Sequence, residues 1–348
     1  MKKNMIRFEC DYAEGAHPLI LERLTETNFE QTTGYGEDAY CEKARQIIRR
    51  LCDAATADVH FLVGGTQTNL TVIASILRPH QGVISAVTGH INIHETGAIE
   101  STGHKVLALP TADSKLTASQ IERVCLDHWQ DVNHEHIVQP GMVYISNPTE
   151  GGRIYSKREL QAISDVCRQY HLPLFLDGAR LGYGLVADDN DLTLPDIAAL
   201  CDVFYIGGTK VGALFGECLV ITNPALGKDF RYFIKQRGGM LAKGRLLGLQ
   251  FETLFADGLY FKIAAHAVQL AKQIRDTFRD KGFSFLCEST TNQQFPILTI
   301  EQANILSQKY AFEVWTKIDD RHHAVRFCTS WATREEDVLA LIRDIKKL

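Results

Sequence analysis

A chain of 348 residues with 45% hydrophobic and 23% charged residues, 26 Gly and 9 Pro has the composition of an ordinary folded protein and excludes a disordered or collagen-like one. Its net charge of −5, without a lysine or arginine run, gives no electrostatic support for binding nucleic acid or an anionic membrane. The opening "MKKNMIRFECDYAEG" lacks the apolar segment of a secretory leader, no stretch reaches the roughly 18 apolar residues of a membrane span, and the cysteines stand singly without CxxC spacing, so a cytoplasmic protein with reduced thiols and no metal site is expected.

This length predicts one large and one smaller domain. Residues 1–55 read as an arm and a helix, "AYCEKARQIIRRLCDAA". Over 56–225 short apolar runs bounded by turn residues alternate with helix-length segments: "VHFLV" (59–63), "VISAV" (83–87), "KVLAL" (105–109), "MVYIS" (142–146), "PLFLD" (173–177), "VFYIG" (203–207) and "CLVIT" (218–222). One intervening segment, "SKRELQAISDVCRQYH", opens with a capping-box pattern at Ser156 and Glu159. Such alternation predicts an α/β fold with a mostly parallel sheet. The connector "GGTKVGALFGE" is too short for a crossover helix, so the last strand is predicted antiparallel, completing a mixed seven-stranded sheet flanked by helices. Residues 226–282 read as linking helices. From 283 to 348, "FSFLC", "FPILTI", "FEVWTKI", "AVRFCTS" and a final helix predict a smaller α+β domain.

Ligands of open α/β sheets bind beyond the carboxyl ends of the strands. There the chain places "GGTQTN", whose Gly64, Gly65 and Thr66 open a helix and suit either a capped turn or a phosphate. It also places "DGAR", in which Asp177 can pair with Arg180 or face a protonated heterocyclic nitrogen. "GHINIHETGAIE" brings His90 and His94, either of which can stack on a ring or act as a base. Lys210 follows "VFYIGGT", where a desolvated amine becomes a nucleophile. A carboxylate, an amine and a phosphate cradle at three strand ends are the attachments that pyridoxal 5'-phosphate (PLP) requires.

In this order the segments resemble the threonine aldolase and β-eliminating lyase family of fold-type-I PLP enzymes. The likeness runs from "GYGED" (34–38) through "GGTQTNL", "FLDGARLGYGL" and "GGTKVGALFG" to "RGGM" and "AVRF". The resemblance implies Lys210 as the Schiff-base lysine, Asp177 on the pyridine nitrogen, His90 stacked on the ring, and Gly65, Thr66 and Thr209 at the phosphate. It implies Arg180 near the ring hydroxyl and the substrate carboxylate, and Arg326 of "AVRF" on that carboxylate through a bidentate fork. The loop with Arg237 matches one that reaches a neighbouring subunit, implying a homodimer or homotetramer. Departures from the family pattern are Cys10 in "CDY" in place of a serine, "SNPTEGG" after the fourth strand, Val211 after the lysine, and Leu241 after "GGM" in place of a basic residue.

The expected activity is cleavage of a β-hydroxy-α-amino acid, threonine or allo-threonine, to glycine and an aldehyde by retro-aldol cleavage of the substrate's imine with the cofactor, His90 or His136 serving as base. Elimination from Cβ of another amino acid is the alternative that "SNPTEGG" suggests, and a cofactor-free binding protein retaining the fold is a third. A nucleotide-dependent dehydrogenase lacks its glycine fingerprint here.

Overall fold

The computed structural model describes residues 5–348; the first four residues of the expected N-terminal arm lie outside the described residues. The seven apolar runs form one sheet: β1 (Asp58–Leu62), β2 (Gln81–Ala86), β3 (Lys105–Leu109), β4 (Gln139–Ser146), β5 (Leu174–Asp177), β6 (Val203–Gly207) and β7 (Glu217–Ile221). Their spatial order is β1-β7-β6-β5-β4-β2-β3. Strands β2 to β6 pair in parallel, and β7 runs antiparallel between β6 and β1. Every residue of β5, β6 and β7 is buried, as a sheet covered on both faces requires. At the edge, β3 leaves Lys105 and Ala108 exposed.

Alternation along the strands sorts side chains into two cores. Val143, Ile145, Leu174, Leu176, Phe204 and Ile206 face one side. Met142, Tyr144, Phe175, Val203 and Tyr205 face the other, where helix Gly65–Ile76 covers them with Val72 and Ile73. The predicted capping box is present: Ser156 accepts from the Glu159 N–H and the Glu159 side chain from Ser156.

The smaller C-terminal unit is an antiparallel sheet centred on His322–Cys328, flanked by Ile297–Thr299 and Glu313–Lys317, with Gln293–Gln294 pairing the end of the central strand. "FSFLC" forms no strand; only Phe285 makes an isolated bridge, to Pro296. Helix Leu259–Asp280 serves two cores, giving Tyr260, Ile263 and Ala264 to the large one and Leu270, Ile274 and Phe278 to the small one. The arm crosses to the small unit, where Ile6–Arg7 pairs in parallel with Tyr310–Ala311.

Candidate active site

Asp177 ends β5 opposite Ser146 of β4 and on the same face as Phe175, so its carboxylate shares that face with Tyr144, which stands opposite Phe175, and with Tyr205 of β6. Tyr144 donates to Oδ2 and Tyr205 to Oδ1, each at 2.5 Å. Asn69 Nδ2, from the covering helix, donates to Oδ2 at 3.1 Å, and the Ala179 N–H donates to Oδ1 at 2.9 Å. Burial alone would push this carboxyl up; the charge of His90 and the donors Tyr144, Tyr205 and Ala179 outweigh it and hold Asp177 low and ionised.

His90 opens a short helical turn just beyond β2. Its Nδ1 lies 2.7 Å from Glu95 Oε1, and that oxygen also accepts from Asn69 Nδ2 at 2.7 Å. Burial lowers the pKa of this imidazole, but the Glu95 hydrogen bond and the charges of Asp177 and Glu95 overcome it and raise it. His94 is exposed and packs its ring against that of His90, with centroids 5.4 Å apart.

Lys210 sits in the loop that joins β6 to β7, and backbone bonds close the loop at its neck. Gly208 N donates to Gly216 O at 3.0 Å, Thr209 N to the same oxygen at 3.1 Å, and Gly216 N to Thr209 Oγ1 at 3.0 Å. Val211 is fully buried in the large core, and Gly212 takes φ +89°, where a Cβ would come within 2.5 Å of Ile263 Cδ1. The glycine therefore belongs one residue after the valine. The Lys210 carbonyl accepts from the Tyr183 hydroxyl at 2.5 Å, while its amine makes no ion pair among the described residues. Burial and the charge of Arg180 push the amine's pKa down, against Asp11, Asp177 and Glu217. Glu217, beside it in β7, is raised to about 8 by burial, against the charge of Lys210 and the Gly208 N–H, which donates to its Oε2 at 3.2 Å.

Both arginines are engaged. Arg180 grips Asp11 through Nε at 2.7 Å and Nη2 at 3.0 Å. Asp11 is wholly buried and also accepts from Asn292 Nδ2 at 2.9 Å; the charges of Arg180 and Lys210 and these bonds overcome burial and hold its pKa at about 2. Arg326, 7% exposed, donates to Gln293 Oε1 at 3.0 Å and to the Glu9 carbonyl at 2.9 Å, contacts Glu313, and lies 4.9 Å from the Trp315 ring centroid. The charges of Arg180 and Arg326 both bear on His94.

The family model of the β-eliminating lyases matches residues 15–329. The chain belongs to the β-eliminating lyase family. It is 31% identical over 346 residues to a low specificity L-threonine aldolase of a Pseudomonas species, covering 98% of this chain and 97% of that one. A solved threonine aldolase of Leishmania major superposes with a TM-score of 0.95 at 45% identity, over 98% of this chain and 99% of that one. An aspartate aminotransferase of Thermus thermophilus, 12% identical, superposes with a TM-score of 0.73 over 99% of this chain and 92% of that one, a likeness of fold alone. The fold is that of the fold-type-I PLP enzymes.

The cofactor of this family is PLP, and the residues present fit it. Helix Gly65–Ile76 starts behind Gly64 with no side-chain cap, and nothing lies within 4 Å of where a Gly64 Cβ would point, so its first amides can take a phosphate. Asp177 is an ionised acceptor at the end of β5, and Lys210, in the loop after β6, is an amine with no ion pair among the described residues. Gly65 abuts the Tyr205 hydroxyl, 3.1 Å from where a Cβ would lie, which ties the helix start to the Asp177 cluster.

Of the residues expected from sequence, His90 and Asp177 fall into one hydrogen-bonded cluster through Glu95 and Asn69. Lys210 and Arg180 are joined to it by charge, and Thr66 is exposed at the helix start. Thr209 spends its hydroxyl on the loop neck. His136 lies exposed in a turn ahead of β4, at the end of the sheet opposite Asp177, so the chain's own fold does not bring it to this site. Asp11, Asn69, Tyr144, Tyr205 and Glu95 were not assigned from sequence. Strand parity offers a signal for the two tyrosines, since each shares a face with Asp177.

Proposed function

We propose that this chain is a PLP-dependent aldolase that cleaves a β-hydroxy-α-amino acid of the threonine type to glycine and an aldehyde. The observation that carries the reading is the pairing of a depressed, ion-pair-free Lys210 amine with an Asp177 held ionised by four donors, in a chain of this family. PLP supplies a carbonyl for amines and an electron sink for charge developing at Cα.

The remaining steps belong to the chain's own groups. Lys210, whose amine has no direct ion pair among the described residues, holds the cofactor when no substrate is present. Asp177, held ionised, would keep a proton on the cofactor's heterocyclic nitrogen. Arg326 takes the substrate carboxylate by exchange for Glu313, whose side chain is 44% exposed and can swing into solvent. Arg180, fixed by Asp11, adds positive charge to the same region, and Gly65, Thr66 and Thr209 line the phosphate end. The chain works as a homodimer or homotetramer in the cytoplasm, with the Arg237 loop approaching a neighbour. Exposed Phe29 and Tyr232 and the nine free cysteines support these two statements.

The test is product analysis with purified protein, threonine and allo-threonine. Glycine plus an aldehyde is expected, while pyruvate and ammonia would overturn the reading. Lys210→Ala should lose both turnover and the visible absorbance of the cofactor's imine with the protein; retention of that band would remove Lys210 from its role.

A further inference from the structure

Glu150 is a buried carboxylic acid in the "SNPTEGG" segment, and neither the fold nor the roles above use it. Its Oε1 accepts from the Ser146 hydroxyl at 2.8 Å and from the His90 backbone N–H at 2.9 Å, so the side chain is held against the His90 turn. Its Oε2 takes no bond from another side chain and is not sealed off by protein. Glu150 lines a cavity of about 440 Å³, which runs from Glu150, Thr88 and His94 across to Glu313 and Trp315 beneath the Arg326 guanidinium. A substrate whose carboxylate lies on Arg326 therefore borders, across Trp315 and Glu313, a space that has the Glu150 carboxyl on its far wall.

We propose that Glu150 is the catalytic base that accepts the proton of the substrate's β-hydroxyl. The inference rests on the aldolase reading above. His90 is poorly placed to take that proton, because its Nδ1 is committed to Glu95 and the surrounding carboxylates favour the protonated ring, which has no lone pair to offer. In the step, the O–H bond breaks and its proton goes to Glu150 Oε2. The O–H electron pair becomes the C=O π bond of the departing aldehyde, and the Cα–Cβ pair remains with the glycine half. The glycine Cα later takes up one proton while Glu150 gives one back to solvent, so protons balance. Burial raises the Glu150 carboxyl against the bonds from Ser146 and its own backbone, which moves it toward the working pH, where a base is most effective.

The test compares two reactions of the holoenzyme, cleavage of β-hydroxy amino acids and exchange of a glycine α-proton in deuterium oxide, which has no hydroxyl proton to remove. In Glu150→Gln, cleavage should fall by about 10²- to 10⁴-fold while glycine exchange and the visible cofactor band stay at wild-type levels. Glu150→Asp, which keeps the carboxylate on a shorter stem, should recover part of the cleavage. Unchanged cleavage in Glu150→Gln, an equal fall in cleavage and exchange, or loss of the band would each overturn the proposal. A wild-type protein that exchanges glycine but cleaves no β-hydroxy amino acid would instead refute the aldolase reading.

Discussion

Asp11→Asn tests whether one buried carboxylate fastens the N-terminal arm to the site. The substitution keeps shape and removes charge, leaving the Arg180 guanidinium without its bidentate partner. Breaking a buried pair in this way costs about 3–5 kcal/mol. Linkage gives a second figure. The folded pKa is depressed from 3.8 to about 2, which corresponds to about 2 kcal/mol of stability. Because the folded value is the lower one, this contribution is complete above 3.8 and is lost as pH falls through about 2. The arm supplies local reporters: the Phe8 N–H donates to Ala311 O at 2.8 Å and the Cys328 N–H to Phe8 O at 2.7 Å. At neutral pH, Asp11→Asn should lower the urea midpoint and speed exchange of these two amides by roughly 10²- to 10³-fold. An unchanged midpoint with both amides exchanging at wild-type rates would refute the argument.

Three further outcomes follow from the site. Asp177→Asn removes the charge and leaves one or two of its four donors facing an amide nitrogen, costing about 1–3 kcal/mol per stranded donor; turnover should drop by several powers of ten in steady-state assays while the protein still binds PLP by its absorbance. Glu217 has a folded pKa raised from 4.5 to about 8, so its contribution is complete below 4.5 and is lost as pH climbs through about 8. Glu217→Gln should gain on the wild type by about 1.4 kcal/mol per pH unit across that window in denaturant titrations. Gly178→Ala would put its Cβ 1.9 Å from the Tyr205 carbonyl oxygen, a backbone clash that side-chain motion cannot relieve. The variant should lose at least about 3 kcal/mol in stability or fail to accumulate as folded protein.

The large sheet was readable from sequence because buried strands and their connections leave strong local marks. All seven runs became strands within a few residues of their expected bounds, and the short connector after 207 fixed the direction of β7. "FSFLC" was misleading, since its apolar residues pack beside the small core without a continuous partner strand. At the site, Asp177 and Lys210 could be picked out because each follows a strand end. Asp11 could not: its partner Arg180 stands 169 residues away, and only the fold brings the arm back. Tyr144 and Tyr205 were hidden differently, as aromatic residues in apolar runs whose hydroxyls matter only once the strands are side by side.

Loops between antiparallel strands are ordinarily where a chain tolerates added residues. The Lys210 loop is an exception by construction. Its neck is cross-tied at Gly208, Thr209 and Gly216, its tip is held by Leu214 N on Gln250 Oε1 at 2.7 Å and by His17 N on Gly212 O at 2.8 Å, and the Lys210 carbonyl is bound by Tyr183. The lysine is thus a swinging arm on a stationary pivot. In the role proposed for it, the amine leaves and returns by side-chain rotation alone, so exchange of one amine for another does not wait for the backbone. The same pinning leaves this short hairpin little room for an insertion.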